Sequence, residues 1–141
     1  MVEEALKLKQ RYIEALYLQV RIYQELHDDK KTLEVVNQII DYQPYFYKAY
    51  LVQGDIYFSL GEYEKAKEAY EMVIWINPTI VDAYNNVGNT YAKLNMKKEE
   101  LEAYQKAIEL LPDYPVLHLN LGICYHERKE YQKALECYQK V

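Results

Sequence analysis

Residues 47–80 read YKAYLVQGDIYFSLGEYEKAKEAYEMVIWINPTI, and the pattern of this segment returns in residues 81–114. Prolines, tyrosines and glycines all recur at intervals of 34 residues. The three series are Pro44, Pro78 and Pro112; Tyr23, Tyr57, Tyr91 and Tyr125; and Gly54, Gly88 and Gly122. Chance does not align three residue types at one interval, so the chain is a tandem repeat.

Each repeat predicts two helices. Tyr50, Gly54 and Tyr57 are spaced by four and three residues, which places them on one face of a helix. Glycine inside a helix costs about 1 kcal/mol relative to alanine, so its return indicates that a neighbouring helix approaches closely. A second amphipathic segment ends before Pro78, and the short turn at Gly61 between the segments predicts an antiparallel hairpin.

These repeats resemble the tetratricopeptide repeat, a 34-residue unit with an aromatic residue, a Leu-Gly pair, tyrosine, alanine, a second aromatic residue and proline in that order. The resemblance implies an all-α fold, a right-handed superhelix (solenoid) of about four stacked antiparallel hairpins. Its expected divisions are an N-terminal helical extension 1–12, a divergent unit 13–46, units 47–80 and 81–114, and an incomplete unit 115–141.

Several positions depart from the repeat pattern, and three of them lead to expectations about the structure. Val20 stands at the glycine position of the first unit, where a terminal unit is expected to be atypical. Gln10 stands where a proline would end the preceding helix, so we expect one long helix from about Glu3 to Leu26. Glu100 replaces a small alanine in the third unit, which we expect to loosen or shift that hairpin.

Composition excludes several classes of function. The chain has 17 Lys and Arg against 22 Asp and Glu, a formal charge of −5, which disfavours nucleic acid as a partner. No apolar segment approaches the ~20 residues that a membrane helix needs, so we expect no membrane insertion and a cytoplasmic location. Cys124 and Cys137 are too few for a disulfide framework.

The sequence contains no pattern that indicates catalysis, a metal ion or a cofactor. Cys124 and His126 are two residues apart and therefore point to different faces of a helix. Glu99, Glu100 and Glu102 form a charge run of the kind that covers a solvated helix face. All four glycines belong to the repeat or its turn, which leaves none for a phosphate-binding loop. We therefore expect a protein that is not an enzyme.

A stack of helical hairpins is curved, and the first helix of each pair lines the concave side, where solenoids bind partners. Positions 2, 5, 9 and 12 of each unit lie opposite the core positions and mark this side. Asparagines at or beside these positions resemble those with which the family holds peptide backbone, since one amide both donates and accepts a hydrogen bond. The candidate groove residues are Tyr17, Arg21, Lys48, Leu51, Asp55, Phe58, Asn85, Asn86, Asn89, Leu119, Asn120, Ile123 and His126.

The leading interpretation is an adaptor or scaffold that binds a peptide or helix of a partner protein in this groove. Two alternatives stay open: a structural scaffold that associates with copies of itself, and a regulatory repeat segment of a larger protein. The first of these follows from the C-terminal end, where Leu135, Cys137, Tyr138 and Val141 belong to a helix that a further unit would normally cover. A homo-oligomer through this end is therefore a further expectation.

Overall fold

The computed structural model describes residues 1–141 and contains eight α-helices and no strand. The helices are α1 (Val2–Glu25), α2 (Asp29–Tyr42), α3 (Tyr47–Ser59), α4 (Tyr63–Ile76), α5 (Val81–Lys93), α6 (Lys97–Leu110), α7 (Pro115–Glu127) and α8 (Tyr131–Tyr138). Consecutive helices pack as antiparallel hairpins, and the hairpins stack into a right-handed superhelical solenoid. None of the eight helices combines the length and the apolar composition needed to cross a membrane.

The turn inside each hairpin contains one residue with left-handed backbone geometry. These residues are His27 (φ 55°), Gly61 (φ 77°), Asn95 (φ 60°) and Lys129 (φ 62°), each 34 residues from the next. Only glycine adopts this geometry without a steric cost, and asparagine tolerates it better than most residues. The reversal ends the first helix of each pair and sets the second helix antiparallel to it.

A tyrosine ring lies directly on each helical glycine, which confirms the predicted close approach. A β-carbon added to Gly54 would lie 2.6 Å from Cε1 of Tyr70, and one added to Gly88 would lie 2.6 Å from Cε1 of Tyr104. Tyr138 covers Gly122 in the same way. The second helix of each hairpin therefore packs against the backbone of the first.

In the first hairpin, two valines replace the glycine and the tyrosine that pack together in the other hairpins. Val20 stands at the glycine position and Val36 at the position of the tyrosine, and both are fully buried. A larger residue on one helix is thus matched by a smaller residue on the other.

The long first helix is present, and Gln10 lies within it. Residues 1–12 of α1 are exposed along their whole length.

Glu100 occupies the small-residue position of its hairpin, and the expectation that it loosens or shifts that hairpin stays a prediction. Helix α6 has 14 residues, as do α2 and α4, and Glu100 is buried with 6% of its surface exposed. Burial first, and then the charge of Glu127, raises the pKa of Glu100. The thiol of Cys124 on α7 acts on this carboxylate in the opposite direction to burial and lowers its pKa. The larger side chain is therefore buried within the stack, where its carboxylate is removed from water.

The C-terminal helix exposes less apolar surface in the structure than the sequence predicts. Cys137 is buried, and Tyr138 is half-buried because its ring lies on Gly122. Leu135 and Val141 are exposed. Cys124 and Cys137 are both free thiols. The division into units, including the boundaries at 46 and 80, stays a prediction.

Trp75, the only tryptophan, lies on the outside of the stack. Its side chain is on α4, with 69% of the residue surface exposed. Its only aromatic neighbour is Tyr45, in the turn between α2 and α3, at 6.0 Å between ring centroids. Trp75 is thus a surface residue of the second helix of its hairpin.

Candidate functional site

The candidate residues lie on the unburied faces of α1, α3, α5 and α7, and none of them is buried. On α7, for example, Leu119 and Ile123 are exposed, whereas Leu117, Leu121 and Cys124 on the opposite face are buried. Helices α3 and α5 also contact each other directly. We use the name concave groove for the surface formed by the thirteen candidate residues.

Asparagine amides from neighbouring helices bond to one another across the groove. Nδ2 of Asn120 on α7 donates to Oδ1 of Asn85 on α5 at 2.8 Å. The other half of each amide, Nδ2 of Asn85 and Oδ1 of Asn120, makes no hydrogen bond within the chain. One internal bond thus orients both amides, and each retains one polar atom without a partner in the chain.

Asn89 is held by the hairpin behind it. The hydroxyl of Tyr104 on α6 donates to Oδ1 of Asn89 at 2.6 Å, and Nδ2 of Asn89 has no partner in the chain. Because the bond joins the two helices of one hairpin, replacing Asn89 affects stability as well as the groove. Asn89 is therefore a poor position at which to test binding alone.

Asp55 and Asn86 form a similar pair between α3 and α5. Oδ1 of Asp55 accepts hydrogen bonds from the hydroxyl of Tyr70 at 2.5 Å and from Nδ2 of Asn86 at 3.3 Å. Burial of the carboxylate raises the pKa of Asp55, and the charge of Asp82 acts in the same direction, while the two hydrogen bonds oppose the rise. A cavity of about 230 Å³ opens here, and its lining consists of Asp55, Phe58, Ser59, Tyr70, Asn86 and Asn89.

Apolar side chains lie on both sides of this polar centre. On α7, Leu119 and Ile123 are exposed and Val116 adjoins them. On α3, Phe58 packs edge-on against Tyr63, and at the equivalent place on α7 His126 packs edge-on against Tyr131. Leu51 is more buried than predicted, because it packs against the core cluster that contains Tyr70 and Val87.

At the other end of the groove, the side chain of Lys48 lies over an aromatic ring. Its Nζ is 5.8 Å from the centroid of Tyr17, which packs edge-on against Phe46 at 5.5 Å. Arg21 is exposed on α1. A cavity of about 800 Å³ lies between α1 and the turn from α2 to α3, and Tyr17 and Lys48 contribute to its lining.

The sequence interpretation missed the hydroxyls of Tyr70 and Tyr104, which reach the groove from the second helix of each hairpin. Each bonds a polar residue 15 positions earlier, Asp55 and Asn89 respectively. The signal was present, because both positions carry tyrosine rather than phenylalanine and both residues 15 positions earlier are polar. Tyr138 has Ile123 at that position and makes no such bond.

Models of the tetratricopeptide repeat match residues 81–114 and 115–141, and a TPR repeat model matches residues 54–95. Together these matches cover more than half of the chain. No curated protein matches the sequence at a significant level.

Two solved structures illustrate the likeness of the fold. A crystal structure of MamA aligns with a TM-score of 0.86 and 22% identity, over 98% of this chain and 81% of that chain. MamA 41-end from Desulfovibrio magneticus RS-1 aligns with a TM-score of 0.84 and 24% identity, over 98% and 82% of the two chains. At these identities the likeness establishes the solenoid fold and no more.

Proposed function

Because the chain belongs to the tetratricopeptide-repeat family and is a protein–protein interaction scaffold, we propose that its concave groove binds an extended segment of a partner protein. The observation that carries this proposal is the state of the groove asparagines. Asn85, Asn89 and Asn120 each use one half of the amide in an internal hydrogen bond and leave the other half free.

An extended segment presents alternating N–H and C=O groups that need partners when they leave water. The free Nδ2 atoms of Asn85 and Asn89 can donate to carbonyls, and the free Oδ1 of Asn120 can accept from an N–H. Because the internal bonds already hold these amides in place, binding loses less side-chain entropy than it would with mobile amides.

The apolar residues of α7 supply the other half of the recognition. Leu119 and Ile123 lie one helical turn apart, so their exposed side chains form one continuous apolar patch. Apolar anchors with a polar centre beside them are typical of protein interfaces, in which a few buried contacts supply most of the affinity. The partner segment therefore carries an apolar side chain that packs on this patch.

Selection from a library of displayed random peptides tests this proposal. Peptides selected on the wild-type protein are expected to bind the variant Leu119→Asp about 30-fold more weakly, the loss for a hot spot of about 2 kcal/mol. The control is Leu111→Asp, because Leu111 is 43% exposed and Leu119 is 41% exposed, but Leu111 lies after α6 and outside the groove. Thermal melts of both variants verify that each is folded.

Equal binding of the selected peptides to the wild type and to Leu119→Asp would contradict the proposal that the groove is the binding site. Equal losses in the two variants would also contradict it, because they would reflect charge or stability rather than position. Leu51 is avoided in this experiment, since its contact with the core couples binding to folding.

Self-association is the second candidate function, and one surface favours it. Tyr131 and Leu135 are exposed on α8, and Val141 is exposed beyond it. Exposed apolar residues on a short helix are typical of contacts between protein surfaces. Sedimentation equilibrium of the wild type against Leu135→Asp tests this candidate: a dimer that persists in the variant excludes α8 as the contact.

The proposal includes a cytoplasmic location and no catalytic activity. Both cysteines are buried free thiols, which is usual in a reducing compartment. Members of this repeat family typically act as non-enzymatic scaffolds. The function therefore resides in the surfaces that the solenoid presents.

A further inference from the structure

A lysine lies over the ring of the repeated tyrosine in three of its four occurrences. In each case the lysine is eight residues after the tyrosine, at the start of the second helix of the hairpin. The distances from Nζ to the ring centroid are 5.7 Å for Lys31 and Tyr23, 5.3 Å for Lys65 and Tyr57, and 5.5 Å for Lys133 and Tyr125. A cation at this distance is attracted by the negative face of the ring.

Tyr91 is the exception, because the residue eight positions after it is Glu99. Tyr91 and Glu99 both line a cavity of about 450 Å³ between α4, α5 and α6. Its floor is apolar and its rim carries carboxylates; the lining consists of Glu71, Ile74, Tyr84, Val87, Tyr91, Glu99, Glu102, Ala103 and Lys106. We call this cavity the Tyr91 cleft.

The charge of the Tyr91 cleft differs from that of the equivalent places in the stack. Its rim has three glutamates, whereas the residues 34 positions earlier and later include an amide, a lysine and one glutamate. The equivalents are Asn37 and Gln105 for Glu71, Lys65 and Lys133 for Glu99, and Glu68 and Glu136 for Glu102. The three positions thus have a formal charge of −3 in the Tyr91 cleft and zero at both equivalent places.

No lysine of the chain lies over the Tyr91 ring, and two lysines near the cleft pair with carboxylates outside it. Lys106 lines the cleft, but its Nζ is bonded to Glu109 at 3.3 Å. On α4, Lys67 is bonded to Glu64 at 2.9 Å, a bond that raises the pKa of Lys67, and the charge of Glu71 also raises it. The hydroxyl of Tyr91 donates to Oε1 of Glu71 at 3.1 Å, which holds that carboxylate beside the ring. Burial first, and then Glu71, Glu99 and Glu102, raises the pKa of Tyr91.

We propose that the Tyr91 cleft binds a lysine side chain of a partner protein, with its ammonium over the Tyr91 ring and among Glu71, Glu99 and Glu102. The methylenes of that lysine pack on the apolar floor at Ile74 and Val87. The three internal lysines show that this fold places an ammonium on the equivalent ring. The cleft involves the second helices α4 and α6, so it is separate from the concave groove.

The chemistry favours an ammonium over a metal ion. No three carboxylate, histidine or cysteine side chains in the chain are arranged to hold a metal ion. A ring face attracts an organic cation that keeps part of its apolar surface in contact with the ring, and a lysine with its methylenes has this property. The cleft therefore fits a basic segment of a partner.

The experiment uses two pentapeptides with blocked ends, alanines at the outer positions, and either lysine or Nε-acetyl-lysine at the centre. Binding is followed by NMR of the tyrosine ring signals of the full chain, with the Tyr91 signals assigned from Tyr91→Phe. The lysine peptide is expected to shift the Tyr91 signals in a saturable manner. The acetylated peptide is expected to bind at least about tenfold more weakly. Tyr57 and Tyr125, which already lie under lysines, are internal controls and are expected to stay unchanged.

The matched variant is Glu99→Lys, which gives this position the residue found at the three equivalent positions. Its own side chain is expected to occupy the ring, so the lysine peptide no longer shifts the Tyr91 signals. The proposal is overturned by equal binding of the two peptides, by shifts spread over all the tyrosines, by no saturable shift at Tyr91, or by unchanged binding in Glu99→Lys. A calcium titration that reproduces the Tyr91 shifts would also overturn it, by assigning the cleft to an inorganic cation.

Discussion

Replacing Gly54 with alanine tests whether the contact between glycine and tyrosine holds each hairpin together. An added β-carbon would lie 2.6 Å from Cε1 and 2.8 Å from Cδ1 of Tyr70. Unstrained carbon atoms stay at about 3.5 Å or more, so the ring or the helix has to move by about 1 Å. The ring is only 2% exposed and its hydroxyl is bonded to Asp55, so it has little room to do so.

Three contributions determine the change in the free energy of unfolding. Overpacking a dense core costs about 1–3 kcal/mol. Displacing the ring weakens its bond to Asp55, worth about 1 kcal/mol. Alanine stabilises a helix by about 1 kcal/mol relative to glycine. We therefore expect Gly54→Ala to destabilise the protein by about 2 kcal/mol, and Gly88→Ala to do the same because Tyr104 makes the same contact.

Urea denaturation followed by far-UV circular dichroism measures this change. With a slope of about 2 kcal/mol per molar urea, the midpoint is expected to fall by about 1 M. The control is the same substitution in a Tyr70→Leu background, where the clash is removed and only the gain in helix propensity remains, so Gly54→Ala is expected to stabilise that protein by about 1 kcal/mol. A neutral or stabilising effect in the wild-type background, or the same effect in both backgrounds, would refute the reasoning.

Three further predictions concern polar side chains at contacts between helices. Glu100→Ala is expected to stabilise the protein by about 1 kcal/mol at pH 7. Because the pKa of Glu100 is raised in the folded state, the stability of the wild type falls as the pH rises through this raised pKa. The higher urea midpoint of the variant should therefore disappear at acidic pH. Asp55→Asn keeps an acceptor for Tyr70, so its melting temperature should be no lower than that of wild type at pH 7, and any gain should shrink as pH falls through the raised pKa of Asp55. Asn89→Ala removes the acceptor of Tyr104 and should cost about 1 kcal/mol in a urea titration, whereas Asn89→Asp, which keeps the acceptor, should cost less.

The architecture could be predicted because the 34-residue interval repeats in three residue types at once. Proline marks where each second helix ends, glycine marks where two helices touch, and the spacing of Tyr50, Gly54 and Tyr57 marks the face that does so. The same rules identify the unburied faces of α3, α5 and α7, because a helical period of 3.6 residues fixes the relative direction of side chains. These features depend on local geometry, which sequence spacing determines.

Helical periodicity alone does not predict the hydrogen bonds in the groove, although tyrosines with a polar residue 15 positions earlier were a signal for two of them. Tyr70 meets Asp55 and Asn120 meets Asn85 only because of the angles at which neighbouring helices cross. Helical periodicity places a residue on a face and does not say which side chain of the next helix it reaches. The burial of Glu100 is a similar case, since the side chains that act on its carboxylate include Cys124 and Glu127 of another helix. Which surface binds a partner stays a prediction.

The position of Trp75 has a practical consequence for spectroscopy. As the only tryptophan, and with 69% of its surface in water, it is expected to emit as a solvated indole in the folded and the unfolded protein alike. Its fluorescence is therefore a poor probe of unfolding. It lies on α4, next in sequence to Ile74 of the Tyr91 cleft, whereas the residues of the concave groove lie on α1, α3, α5 and α7. A partner that covers the outer helices should shift its emission to shorter wavelength, whereas a peptide in the groove should leave the emission unchanged, so one unlabelled fluorophore distinguishes the two surfaces.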